Sequence, residues 1–107
     1  MTTLDVTDAA WDAEVLARAQ PILVDFWAPW CVPCRRVAPL VEEVAERHAG
    51  HLTVVRLDVD SHPAAAARYD VLSLPTLILF KGGEPVARLV GKIGLRDIET
   101  AVLSHIA

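Results

Sequence analysis

Residues 21–28 form an apolar run in which Ile22, Leu23, Val24, Phe26 and Trp27 leave no polar face. A strand that is apolar on both sides has to be covered on both sides. It therefore belongs at the centre of a sheet with helices above and below. The following stretch supplies one such cover. Over residues 34–49, Val37, Leu40, Val41, Val44, Ala45 and His48 recur at three- and four-residue steps, while Arg35, Arg36, Glu42, Glu43, Glu46 and Arg47 fill the other side. The pattern predicts an amphipathic helix stopped by Gly50. Pro39 lies inside it and is expected to kink it.

The rest of the chain repeats this alternation. Residues 2–6 read as a weak first strand, and Thr7 or Asp8 as the cap of a helix running to about residue 19, with Trp11, Val15 and Leu16 on one face. Residues 52–58 are a second buried strand, and 61–69 a short Ala-rich helix with Pro63 tolerated in its first turn. Residues 76–81 and 85–90 flank Gly82-Gly83 as a β-hairpin. Residues 95–106 close the chain as a helix with Leu95, Ile98, Val102 and Ile106 facing inward. The order β-α-β-α-β-α-β-β-α predicts an α/β fold, a central mixed β-sheet flanked by helices on both faces. With 107 residues, 53% of them hydrophobic, one compact domain over residues 1–107 is expected.

Several function classes are disfavoured. The net charge is −4 and no basic block exceeds Arg35-Arg36, so a phosphate backbone finds no positive patch and no nucleic-acid partner is expected. The apolar runs are too short to cross a bilayer, so no membrane association is expected. The first residues show no positive segment followed by an apolar run, so a cytoplasmic location is expected. A secreted form whose signal has been removed fits the same residues.

Only two cysteines occur, Cys31 and Cys34. A lone close pair points to reactive thiols or half a metal site rather than a disulfide scaffold. Cysteines at i and i+3 share one side of a helix turn, and a modest adjustment at a helix start brings them within disulfide range. Cys31 sits at or just before the first turn, where unpaired N–H groups and the helix dipole favour an anion. Its pKa should fall, which raises the thiolate fraction that attacks disulfides. Cys34, shielded further along the helix, is assigned the resolving role. Two inert core thiols are a plainer reading, for which Trp30, Pro33 and a helix start make an odd setting. Zinc is the sharper rival, since Cys31, Cys34, His48 and His51 spell C-x2-C-x13-H-x2-H. A continuous helix would put Cys34 and His48 about 21 Å apart, whereas zinc ligands sit within about 2.3 Å of one ion. No metal is therefore expected.

The run Val24-Asp25-Phe26-Trp27-Ala28-Pro29-Trp30-Cys31-Val32-Pro33-Cys34-Arg35 resembles the active-site strand and loop of the thioredoxin family almost position for position. Tyr69-Asp70-Val71-Leu72-Ser73-Leu74-Pro75-Thr76 looks like that family's proline loop, Phe80-Lys81-Gly82-Gly83-Glu84 like its hairpin and Val90-Gly91 like its groove edge. The resemblance covers essentially the whole chain, in order. It implies a thioredoxin fold and a protein-disulfide reductase that cycles Cys31 and Cys34 between dithiol and disulfide. It implies no bound cofactor. Electrons would come from NADPH through a separate flavin-dependent thioredoxin reductase and pass to disulfide-containing client proteins, peroxide-scavenging and reductase enzymes among them. The protein would be a monomer.

The resemblance also assigns residues. Pro75 would be cis beside the cysteines, and Trp30, Val32, Pro33, Ser73, Leu74, Pro75, Val90 and Gly91 would form the apolar groove for the client chain. A scatter of ordinary surface and loop residues is the plainer reading. Asp25 would exchange a proton with Cys34. On a strand with apolar neighbours it should be partly buried, which raises a carboxyl pKa; an aspartate near the strand end that meets water is the alternative. Arg56 stands where the family usually carries a lysine, and its firmer charge would hold the Asp25 pKa lower. Val32 stands where the family usually has glycine. A stiffer, bulkier residue there should alter access to Cys31 and the balance of the redox forms. Two other functions remain open: a thiol oxidant or isomerase with Val32 tuning the pair, and a redox-silent binding module.

Overall fold

The computed structural model describes residues 3–106. Its five strands are β1 (Leu4–Asp5), β2 (Ile22–Trp27), β3 (Thr53–Asp58), β4 (Thr76–Lys81) and β5 (Glu84–Val90). They form one mixed sheet in the order β1-β3-β2-β4-β5. The apolar run thus lies at the centre, parallel to β3 and antiparallel to β4. The helices are α1 (Val32–Arg47), α2 (Pro63–Arg68) and α3 (Leu95–Leu103). No helix among the described residues is long and apolar enough to cross a membrane.

Strand alternation divides the core into two layers. Ile22, Val24 and Phe26 pack with Val55, Leu57, Ile78 and Phe80 against Trp11, Val15, Ala65 and Ala66. Leu23 packs with Val54, Leu77 and Leu79 against Val37, Val41 and Val44 of α1 and Ile98 and Val102 of α3. Asp25, in step with Leu23, therefore faces the α1 side. In the first layer, the Trp11 ring lies 5.5 Å from both Tyr69 and Phe80 and 6.0 Å from Phe26.

Element boundaries differ from expectation for local reasons. Helix α1 starts two residues earlier than the periodicity suggests, because Pro33 suits a first turn whose N–H groups have no partner within the helix and Cys31 acts as the cap. It continues through Pro39 to Arg47. The expected helix up to residue 19 is only a short widened segment, Asp12–Leu16, in which the Ala17 N–H reaches the Asp12 carbonyl at 3.0 Å. Pro21 disfavours helical backbone at Gln20, which limits the run from its far side. The Thr7 hydroxyl does accept the Ala10 N–H, at 3.1 Å. Asp8 instead caps a distant helix: its carboxylate accepts the Ala64 and Ala65 N–H groups of α2, each at 2.9 Å. Helix α3 ends at Leu103 rather than at residue 106, where the Ser104 hydroxyl bonds back to the Thr100 carbonyl at 2.8 Å. The first strand is confined to Leu4–Asp5, and Thr2 lies outside the described residues. Gly82 and Gly83, with φ of +60° and +80°, make the turn that joins β4 to β5 with the twist a hairpin needs.

Replacing Asp8 with Ala is expected to destabilise the protein by about 1 kcal/mol, with Asp8→Asn retaining most of the stability. Urea unfolding followed by far-UV circular dichroism measures both.

Candidate active site

Strand β2 ends at Trp27, and the chain turns so that the Cys31 N–H meets the Ala28 carbonyl at 3.1 Å. Cys31 keeps an extended backbone while α1 begins at the next residue. Its Sγ accepts the Cys34 N–H at 3.2 Å, so the sulfur itself caps the helix. Cys31 and Cys34 form a disulfide with their Cα atoms 5.3 Å apart. Both are buried, Cys34 more so (1% exposed against 4%), among Ala28, Trp27, Val59 and Leu74. On reduction, the free N–H groups and dipole at the start of a sixteen-residue helix stabilise negative charge on Cys31. The zinc pattern does not assemble: the two cysteines bond each other, and His48 Nε2 bonds Glu99 at 2.9 Å.

Asp25 is completely buried, against the reading of a strand-end aspartate that meets water. Its Oδ2 accepts from Arg56 Nε at 3.1 Å across the β2–β3 pairing, while Oδ1 has no hydrogen-bond partner among the described residues. The Arg56 guanidinium is stacked over Trp27, 4.5 Å from the ring centroid. Loss of water pushes the Asp25 pKa up to about 6, from an ordinary 3.8, and Arg56 opposes that rise through its charge and its hydrogen bond. Arg56 therefore lowers the Asp25 pKa, but burial dominates.

The Leu74–Pro75 peptide is cis. The Pro75 carbonyl accepts the Gly91 N–H at 3.2 Å, and Thr76 Oγ1 donates to the Ser73 carbonyl at 2.6 Å. Arg88 of β5 donates to the Tyr69 and Asp70 carbonyls and so anchors the start of the same loop. A cleft of about 550 Å³ opens between the first turns of α1, Leu74-Pro75 and residues 91–94.

Of the groove residues expected from sequence, Pro33, Leu74, Pro75 and Gly91 line this cleft. Val32, Ser73 and Val90 do not; they are exposed and each precedes a lining residue in the chain. Trp30 stands outside it, 65% exposed, with its Nε1–H donated to Asp60 at 2.9 Å. Sequence reasoning missed Arg36, Val37, Lys92, Ile93 and Gly94 in the lining. It also missed Asp60 and the Trp27 stack. No spacing rule links Trp30 to Asp60, 30 residues away.

The thioredoxin family model matches residues 2–104. A thioredoxin of Mycobacterium tuberculosis is 51% identical over 104 residues, covering 94% of this chain and 90% of that one. The chain belongs to the thioredoxin family. A thioredoxin of Porphyra purpurea is 41% identical over the full length of both chains. A bifunctional thioredoxin reductase/thioredoxin of Mycobacterium leprae is 51% identical over 104 residues, covering 94% of this chain and 23% of that longer one. The fold is thus a thioredoxin fold, and Cys31 and Cys34 are the redox pair of a protein-disulfide oxidoreductase.

The raised Asp25 pKa sets a pH dependence. Between pH 3.8 and about 6 the folded protein holds a proton that the unfolded chain has released. Stability therefore falls as pH rises through that window and levels off above it. The full effect corresponds to about 3 kcal/mol. For the oxidised protein, Asp25→Asn is expected to remove the slope and to raise stability at pH 8 by about 2–3 kcal/mol. Urea unfolding at a series of pH values tests this, and a slope of the opposite sign would contradict it.

Proposed function

We propose that the chain is a dithiol reductant of protein disulfides, acting as one thioredoxin domain over residues 1–107. The observation that carries this reading is the cap: Cys31 Sγ faces the Cys34 N–H at the start of α1, with Cys34 already within bonding distance. The Cys31 thiolate attacks one sulfur of a client disulfide. A mixed disulfide forms and the first client thiolate leaves. Cys34 then loses its proton and attacks Cys31 Sγ. The second client thiolate departs and the Cys31–Cys34 bond closes, so two electrons pass to the client.

Asp25 is the base for the Cys34 proton. Its burial makes its carboxylate a stronger base than an exposed one, and its unpartnered Oδ1 is free to take the proton. Arg56, held over Trp27, keeps that carboxylate oriented. Trp30, Val32, Pro33, Ser73, Leu74, Pro75, Val90 and Gly91 receive the client chain. The exposure of Trp30 and Val32 supports that assignment. The chain itself needs no bound cofactor, because the electrons reside in the two thiols. The bifunctional thioredoxin reductase/thioredoxin relative supports a flavin-dependent, NADPH-fuelled thioredoxin reductase as electron donor. The protein works as a monomer in the reducing cytoplasm, in keeping with a chain whose two cysteines are both in the redox pair.

Insulin disulfide reduction driven by dithiothreitol should be catalysed by the wild-type protein, and the Cys34→Ser variant should instead accumulate stable mixed disulfides. If Cys31 in the reduced protein ionised no more readily than free cysteine, and the variant trapped nothing, the reading would be abandoned.

Val32 is the first residue of α1 and is half exposed. Glycine there would add backbone freedom that closing the disulfide must remove. Val32→Gly should therefore make the potential less negative by about 10–20 mV while activity is kept. Equilibration against glutathione measures the change.

A further inference from the structure

The cleft beside the disulfide differs in charge from the chain that builds it. The sequence holds 14 acidic and 10 basic side chains, yet the lining contains Arg36 and Lys92 and no carboxylate. Most other arginines are engaged. Arg18 and Arg35 bond backbone carbonyls, Arg47 and Arg68 pair with carboxylates, Arg56 holds Asp25 and Arg88 holds the proline loop. Neither Arg36 nor Lys92 has such a partner among the described residues. The nearby Asp97 carboxylate accepts the Gly94 N–H at 2.8 Å at the start of α3. Val37, Leu74, Pro75 and Ile93 make much of the remaining lining apolar. Leu74 also packs against Cys31 and Cys34, so it joins the cleft to the reacting sulfurs.

We infer that this cleft is a client-selecting subsite, in which Arg36 and Lys92 favour disulfides flanked by an acidic and an apolar side chain. The inference rests on the reductase reading above. A client joined to Cys31 lies across Leu74, and its neighbouring residues reach the cleft. An apolar side chain there leaves water, and a carboxylate meets two cations beside a low-dielectric wall. Such attraction speeds encounter and weakens as salt screens it.

The test uses two synthetic peptides with one internal disulfide each, identical except for Glu or Gln at two positions beside one cysteine. Reduction by the pre-reduced full chain is followed in a single turnover. The Glu/Gln rate ratio is compared between proteins, so each peptide's own reactivity cancels. The ratio should fall about fivefold from wild type to the Arg36→Gln, Lys92→Gln double variant. It should persist in Arg36→Lys with Lys92→Arg, and shrink for wild type in 0.5 M salt, on the scale of Debye screening. Equal ratios in wild type and double variant, or a wild-type ratio indifferent to salt, would overturn the subsite while leaving the reductase intact. Failure of wild type to reduce insulin and both peptides would overturn the reductase reading, and the subsite with it.

Discussion

The hydrogen bond from the Cys34 N–H to Cys31 Sγ ties the fold to its chemistry. It exists because a strand buried on both faces ends at Trp27 and a helix begins at Val32, leaving Cys31 as the cap between them. A capping position is where a helix has N–H groups to offer and a dipole that favours negative charge. One geometric device therefore makes the first sulfur the better anion and buries the second within its reach. Moving the helix start by one residue would put a different side chain at the cap and separate those two functions.

Beneath this cap the chain tolerates a buried acid. Asp25 sits on the α1 side of the central strand with no access to water. The Arg56 hydrogen bond and the Arg56–Trp27 stack offset part of the burial penalty without cancelling it, since the pKa still rises to about 6. A penalty of about 3 kcal/mol is a large share of the 5–15 kcal/mol that stabilises an ordinary domain. In the proposed mechanism, where Asp25 takes the Cys34 proton, that cost and the reactivity are set against each other at a single side chain.

The cleft beside the disulfide is assembled from three separate pieces of chain. Helix α1 supplies Pro33, Arg36 and Val37; the proline loop supplies Leu74 and Pro75; the connection after β5 supplies residues 91–94. The Gly91–Pro75 bond joins the last two pieces, and Arg88 fastens the loop to β5. Two cations with no partner among the described residues sit in a largely apolar lining, so the cleft combines area for burial with a preference for sign.

Much of the fold and of the redox pair was legible in the residues alone, because their signals are local. Two-sided apolarity marked β2, helical periodicity marked α1, Gly82-Gly83 marked the hairpin, and the spacing of Cys31 and Cys34 marked a bond that a helix start can close. Resemblance added the cis Pro75 and the proposed role of Asp25. Local signals failed where partners are distant in sequence. Asp8 caps α2 instead of its own helix, 56 residues away. Trp30 is held by Asp60, Arg56 lies over Trp27, and Arg36 and Lys92 line the same cleft. Hydrophobic period and turn chemistry act over a few residues and can be read along the chain. Which surfaces meet, and how deeply a carboxylate is buried, depends on the order in which strands join the sheet, and only the folded structure decides that.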